Sequence, residues 1–236
     1  MVRTEGINQA NGRRIFVLGD GTRVQYDHSS PVASRWTKVS DGSVSRAANQ
    51  AADGVLMGPA LPTYFGGFEN TFRYKGFDLS ILLYFSGGNY VYNGSKAGLH
   101  DNRNWNNAKD ALQRWTKPDD NAKWPRVVFN DNISNGSSFP ISNNVEKGDF
   151  IKGRNISLGY MLPKRITDKA GLSSARFYIA ALNAFTITKY SGYDPEIQSN
   201  NGAAVANEQT VNGAPSVDRN AAPLSRTINI GVNIGF

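Results

Sequence analysis

The sequence predicts an all-β protein: an antiparallel β-barrel that crosses a membrane with its strands, represented by roughly its last five strands and their long loops. Three observations predict it. Apolar and polar residues alternate in several runs, most regularly in RTINIGVNIGF, 226–236, where Ile228, Ile230, Val232, Ile234 and Phe236 fall on one side. Connections between such runs alternate between short and long. Aromatic rings collect where the runs meet turns.

The elements follow in order. Residues 1–62 are polar and irregular, with one hairpin in RRIFVLGDGTRVQY, 13–26, turning at Asp20-Gly21. Residues 29–62, rich in Ser, Ala and Gly with three prolines, read as loop. We therefore expect 1–62 to be an extracellular loop region and 63–236 to hold the barrel strands with their loops. In GFENTFRYKGFDLSILLYFS, 67–86, a turn at Lys75-Gly76 pairs Tyr74 with Phe77, Phe72 with Leu79 and Phe68 with Leu83. The same register sets Arg73 opposite Asp78 and Thr71 opposite Ser80. A one-residue slip would mix the apolar and polar faces.

A polar stretch of about sixty residues follows, with a short helix expected near NAKDALQRW, 107–115. The next strand is NISLGYML, 155–162, with Ile156, Leu158, Tyr160 and Leu162 on one face. ARFYIAALNAFTITKY, 175–190, places Phe177, Ile179, Phe185 and Ile187 on one face, and Asn183 marks a bulge. A second polar loop, 191–224, leads to the closing strand.

The connections run two residues, then about sixty, about eleven and about thirty-five. In an antiparallel meander, that alternation collects all long loops on one side and all short turns on the other. Outer-membrane barrels have this arrangement, with short periplasmic turns and long extracellular loops. Tyr74, Phe77, Tyr160, Phe177 and Phe236 mark the short-turn end, and Phe68, Phe85 and Phe185 the other, as interfacial girdles do. On this reading Phe72, Tyr74, Phe77, Leu79, Ile81, Leu83, Ile156, Leu158 and Tyr160 face lipid. The same alternation also describes a soluble β-sandwich, whose apolar faces pack on each other. The loop asymmetry favours the barrel.

Composition excludes some classes. Lysine and arginine number 26 against 19 acids, a formal charge of +7, but the basic residues form no stripe that would fit nucleic acid. There is no cysteine, hence no disulfide or thiolate metal site. Apolar runs such as ILLYF, 81–85, are far short of a membrane helix. MVRTEGINQANGRR has no apolar core of a secretory signal, so an exported protein would need further sequence before it. No catalytic constellation, metal site or cofactor motif emerges. His28 and His100 sit in separate polar loops and are expected at the surface. Asp119-Asp120 and Asp194 with Glu196 are carboxyl pairs of the kind loops commonly carry. SGYDPE, 191–196, reads as a turn in which Pro195 fixes φ and Asp194 accepts backbone N–H groups.

Four stretches carry a family resemblance: LPTYFGGFENTFRYKGFDLS, 61–80; EKGDFIKGRNISLGYMLPK, 146–164; LNAFTITKYSGYDPE, 182–196; and SRTINIGVNIGF, 225–236. In that order they resemble the C-terminal part of SusC/RagA-like TonB-linked outer-membrane proteins. The resemblance implies a large plugged barrel in the outer membrane of a Gram-negative, Bacteroidetes-type bacterium. It further implies import of glycans or peptides, driven by the TonB system through an N-terminal part not represented here, with a SusD-like surface lipoprotein as partner. The chain would then be a C-terminal fragment of that barrel, in contact with outer-membrane lipid and with no enzymatic activity. Ile230, Val232, Ile234 and Phe236 look like the signal that barrel-assembly machinery reads. Tyr90, Tyr92, Trp105, Trp115, Trp124 and Tyr193 lie in the long loops as candidate ligand or partner contacts. The alternative for these rings is packing of the loops against one another or against the surface lipoprotein. The alternatives for the whole are a soluble β-rich glycan-binding module and a structural or adhesive outer-membrane barrel.

Overall fold

Long alternating runs form long strands, and short apolar clusters among Gly and Asn form short ones. In the computed structural model, which describes residues 1–103, 106–196, 216–219 and 221–236, both kinds occur. In chain order the strands are β1 (Arg3–Ile7), β2 (Arg14–Val17), β3 (Arg23–Tyr26), β4 (Trp36–Lys38), β5 (Tyr64–Tyr74) and β6 (Phe77–Gly87). They continue with β7 (Tyr90–Asn93), β8 (Val145–Lys147), β9 (Phe150–Met161), β10 (Ser174–Thr188), β11 (Val217–Asp218) and β12 (Thr227–Gly235). Three short helices, α1 (Gln50–Asp53), α2 (Gly94–Leu99) and α3 (Lys164–Thr167), lie between them. The chain divides into two units.

One unit is a five-stranded antiparallel sheet of order β5-β6-β9-β10-β12. Its first hairpin has the expected register, Tyr74 opposite Phe77, Phe72 opposite Leu79 and Phe68 opposite Leu83. The turn is a pair of positive φ angles, Lys75 at 47° and Gly76 at 87°, the geometry whose twist matches a two-residue hairpin. β9 starts five residues before the expected Asn155. The reason is a bulge. Between neighbouring rows the chain takes one step on β6 (Leu82 to Leu83), two on β9 (Asn155 to Gly153) and three on β10 (Leu182 to Phe185). Ile151 and Ile156 differ in parity, so a straight strand would put them on opposite faces. The extra Arg154 returns both to one face. Asn183, with φ of 50°, is the matching irregularity on β10, as expected.

Apolar side chains of this sheet stand exposed among the described residues. Phe72, Phe77 and Ile230 are 54%, 51% and 82% exposed. A sandwich would bury these side chains in a dry interior. The sheet is a segment of barrel wall.

The other unit is built from Met1–Gly58 and Tyr90–Glu146 with β11. Residues 1–62 hold more than one hairpin: β1 and β4 flank β2 and β3 in a four-stranded meander. Phe16 on β2 faces Val24 on β3, and both are fully buried with Val2 and Ile141. Trp36 packs across this cluster, its ring centroid 5.0 Å from those of Phe16 and Tyr26. The segment 29–62, expected to be loop, contains β4 and α1. Three residues of β4 show no readable period. α1 depends on Asn49, whose side chain accepts from the Ala51 N–H at 2.8 Å, and on Asp53, which accepts from Gly19, Asn49 and Arg46. The helix expected near 107–115 is a 3-10 segment, Lys109–Gln113, while α2, capped by Asn93, was not anticipated.

Polar groups lock this unit. Arg14 is buried and donates to the Ser134 carbonyl at 2.7 Å, and burial lowers its pKa to about 10 against the opposing pull of Asp131. Burial of Asp27 works to raise its pKa, but hydrogen bonds from Ser29 and Ser30 and the charges of Arg126 and Arg13 outweigh it. Its carboxyl is held well below the usual range.

Candidate functional site: the polar face of the sheet

Pairing across the sheet lines residues up in rows, and alternation sends successive rows to opposite faces. One apolar row is Tyr74, Phe77, Tyr160, Phe177 and Val232. The next on that face is Phe72, Leu79, Leu158, Ile179 and Ile230, followed by Asn70, Ile81, Ile156, Ala181 and Ile228. Leu83 stands in a fourth row between Phe68 and Gly153. All nine side chains expected to face lipid therefore share one surface. Phe77 and Tyr160 are in ring contact there, 4.5 Å between centroids.

The opposite face is polar. Its rows read Arg73, Asp78, Gly159, Tyr178, Gly231 and then Thr71, Ser80, Ser157, Ala180, Asn229. Asp78 faces Arg73 in register but is bonded by Arg176, two strands away: Nε to Oδ1 at 3.0 Å and a terminal guanidinium nitrogen to Oδ2 at 2.5 Å. The guanidinium crosses β9 at Gly159, where a Cβ would collide with it. Tyr178 lies over Gly231 in the same way. Two glycines thus sit inside strands because long side chains cross above them.

Nearer the long loops, the same face holds a second ionic cluster. Lys152, almost fully buried, donates to both carboxylate oxygens of Asp194 at 2.7 Å and to Glu196 Oε2 at 2.7 Å. Arg154 pairs with Glu196 and with Asn183 Oδ1, and its guanidinium stands 5.1 Å from the centre of the Tyr84 ring. Asp194 also accepts the Glu196 N–H at 3.0 Å, which is the expected turn. What sequence reasoning missed is that SGYDPE closes onto β9 through Lys152 and Arg154. Its one readable signal was two cations beside the strand's break in alternation and two acids in the loop.

The loop aromatics scatter. Trp124 is buried and stacks on His100, 3.6 Å between centroids. Trp115 donates to the Gln9 carbonyl at 2.7 Å, with Gly12 under its ring. Tyr92 donates to the Gly136 carbonyl at 2.9 Å, and Tyr90 lies against Gly58. Tyr193 is 71% exposed. Trp105 lies outside the described residues. His100, expected at the surface, is 4% exposed: its ring nitrogens contact the Lys96 carbonyl and Asp110, and Trp124 covers its face. His28 is half-buried against the Tyr26 hydroxyl at 2.8 Å. Ile230, Val232, Ile234 and Phe236 are all exposed, Phe236 at 94%.

No family model matches the chain. Two TonB-dependent receptors of Formosa agariphila, P3 and P39, are 30% and 32% identical to it over 78% and 79% of its length. The TonB-dependent receptor SusC of Bacteroides thetaiotaomicron is 27% identical over 72%. The chain spans only 17%, 17% and 15% of these three relatives. The solved RagAB peptide transporter matches all of this chain with 22% of its own, at a TM-score of 0.66 and 23% identity, and so shares the fold. Sequence kinship and the two-faced antiparallel sheet agree: the chain belongs to the SusC/RagA-like TonB-dependent outer-membrane receptors, of which it carries part of the barrel wall.

Proposed function

We propose that this chain is part of the wall and the outer loops of a TonB-dependent importer of glycans or peptides. The observation that carries the reading is the alignment of apolar rows over all five strands, backed by a face of ion pairs and amides. Hydrocarbon would meet the first face, from Phe72 and Tyr74 through Leu83 and from Ile156 through Tyr160. Cargo and a plug would meet the second. Lumen-facing polarity of this kind suits a wet passage, and nothing in it calls for a reaction.

Kinship with TonB-dependent receptors supports coupling to TonB, and likeness to the RagAB peptide transporter supports peptide as cargo. A SusD-like surface lipoprotein would approach from the long-loop side, where Tyr193 offers an exposed ring. Ile230, Val232, Ile234 and Phe236 would present the alternate apolar residues that barrel-assembly machinery reads.

Fractionation of cells producing the full-length protein tests the membrane reading. Recovery in the detergent-extracted outer-membrane fraction supports it, and recovery in the aqueous fraction overturns it. Deletion of the gene should then abolish growth on one glycan or peptide source while growth on free sugars and amino acids continues.

A further inference from the structure

Two clusters of cations on this sheet differ in their pairing. Near the long loops, Lys152 and Arg154 are neutralised by Asp194 and Glu196. At the short-turn end, the connection from β9 to β10 carries Lys164, Arg165 and Lys169 against a single acid, Asp168. All three cations are exposed, and none forms an ion pair among the described residues. Lys75, in the neighbouring short turn, likewise has no ion pair among the described residues and stands 5.2 Å from the centre of the Tyr74 ring.

An apolar contact accompanies the charge. Ile166, on α3 between the basic residues, is 53% exposed although nothing in a water-facing turn requires it. The aromatic row of Tyr74, Phe77, Tyr160 and Phe177 ends just short of this connection. Lys164 is four positions after Tyr160, about 10 Å of tilted strand and turn. The polar headgroup layer adds roughly 5–8 Å beyond the hydrocarbon on each side. If the rings mark the hydrocarbon edge, the backbone here lies just outside the headgroup layer, and long basic side chains reach back to the lipid phosphates.

We infer that Lys75, Lys164, Arg165 and Lys169, with Ile166 dipping between them, form a docking rim for anionic glycerophospholipids of the leaflet on the short-turn side. The inference rests on the membrane reading above. Phosphate charge complements the unpaired ammonium and guanidinium groups, and the Ile166 side chain reaches the acyl boundary beside the aromatic row. A rim of this kind would fix the height of the short-turn end in the bilayer, while the paired cations near the long loops stay committed to SGYDPE.

The test is native mass spectrometry of the full-length receptor in detergent, titrated with phosphatidylglycerol or phosphatidylcholine. The wild type should retain phosphatidylglycerol in preference. The K164Q/R165Q/K169Q variant should lose that preference by about tenfold or more, since each basic residue near an anionic surface contributes about fivefold. The K109Q/K117Q/K123Q variant, which removes the same charge from exposed lysines of the other unit, should retain it. Equal retention of the two lipids by the wild type overturns the rim, as does equal loss in both variants. Displacement of the lipid by inorganic phosphate at equal concentration would also overturn it, by showing a site for free anion. Failure of the receptor to enter detergent at all would instead defeat the membrane reading.

Discussion

The two units place their large apolar side chains in opposite ways. In the unit of β1–β4, Phe16, Val24, Val2 and Ile141 are at 0% exposure, and polar groups such as Asp27 and Asp53 are tied to named donors around them. In the five-stranded sheet, Phe72, Phe77, Ile179 and Ile230 stand 44–82% exposed in aligned rows, and the ion pairs lie on the other face. The same residue types are hidden in one unit and displayed in the other. Burial of apolar surface is favourable only relative to water. Rows left exposed in this way suit the apolar medium proposed above, whereas the unit of β1–β4, the loop unit, hides its apolar side chains as a domain in water does.

Truncation of a core ring should give the largest effect. Phe16→Ala should cost the loop unit about 3–5 kcal/mol, read by hydrogen exchange or limited proteolysis of the full-length receptor, while barrel insertion stays intact. Loss of insertion as well would mean that the two units do not have separate stabilities. A charge on the outward face comes next. Leu79→Lys or Ile81→Lys should cost about 2–4 kcal/mol in lipid, and Ser80→Lys far less. Equal costs at Leu79 and Ser80 would show one medium on both faces and end the comparison.

Smaller effects sharpen it. Deleting Phe236 should lower the heat-resistant folded fraction on gels, and unchanged assembly would count against its role as an assembly signal. Gly159→Ala should displace the Arg176 guanidinium from Asp78, a flexible end rather than backbone, and cost only about 1 kcal/mol in denaturant titrations. A fold-breaking result would mean that the backbone at Gly159 matters more than the crossing side chain. The mildest probe is acid. Asp27 has a depressed folded-state pKa, so its contribution is present above the unfolded value of about 4 and is lost as pH falls below it. Loop-unit protection should therefore weaken below about pH 4, and less so in an Asp27→Asn variant that has already given up the charge.

Legibility in the sequence tracked the range of the interactions. The hairpin of β5 and β6 was readable to the residue because a two-residue turn and a period of two constrain each other. The bulge at Asn183 showed as a polar interruption, and the first half of β9 was lost because Arg154 shifts the parity that a pattern search relies on. Asp78 invited pairing with its facing residue Arg73, and only the coordinates reveal that Arg176 reaches it over Gly159. His100 looked like a surface residue because its cover, Trp124, lies far along the chain.

The amino-acid sequence by itself determined where the sheet's strands fall apart from the first half of β9, their register at the first hairpin and which face is apolar, since period and turn chemistry are local properties of the backbone. It also determined the kinship, through stretches spread over the strands and the turn that follows β10. The tertiary structure alone decided that residues 1–58 and 90–146 share a core, because Val2 and Ile141 meet at a separation no periodicity encodes. It alone decided, too, that SGYDPE closes on Lys152 and Arg154, since charges that are unremarkable in a loop become a buried cluster only when the fold brings them to one strand.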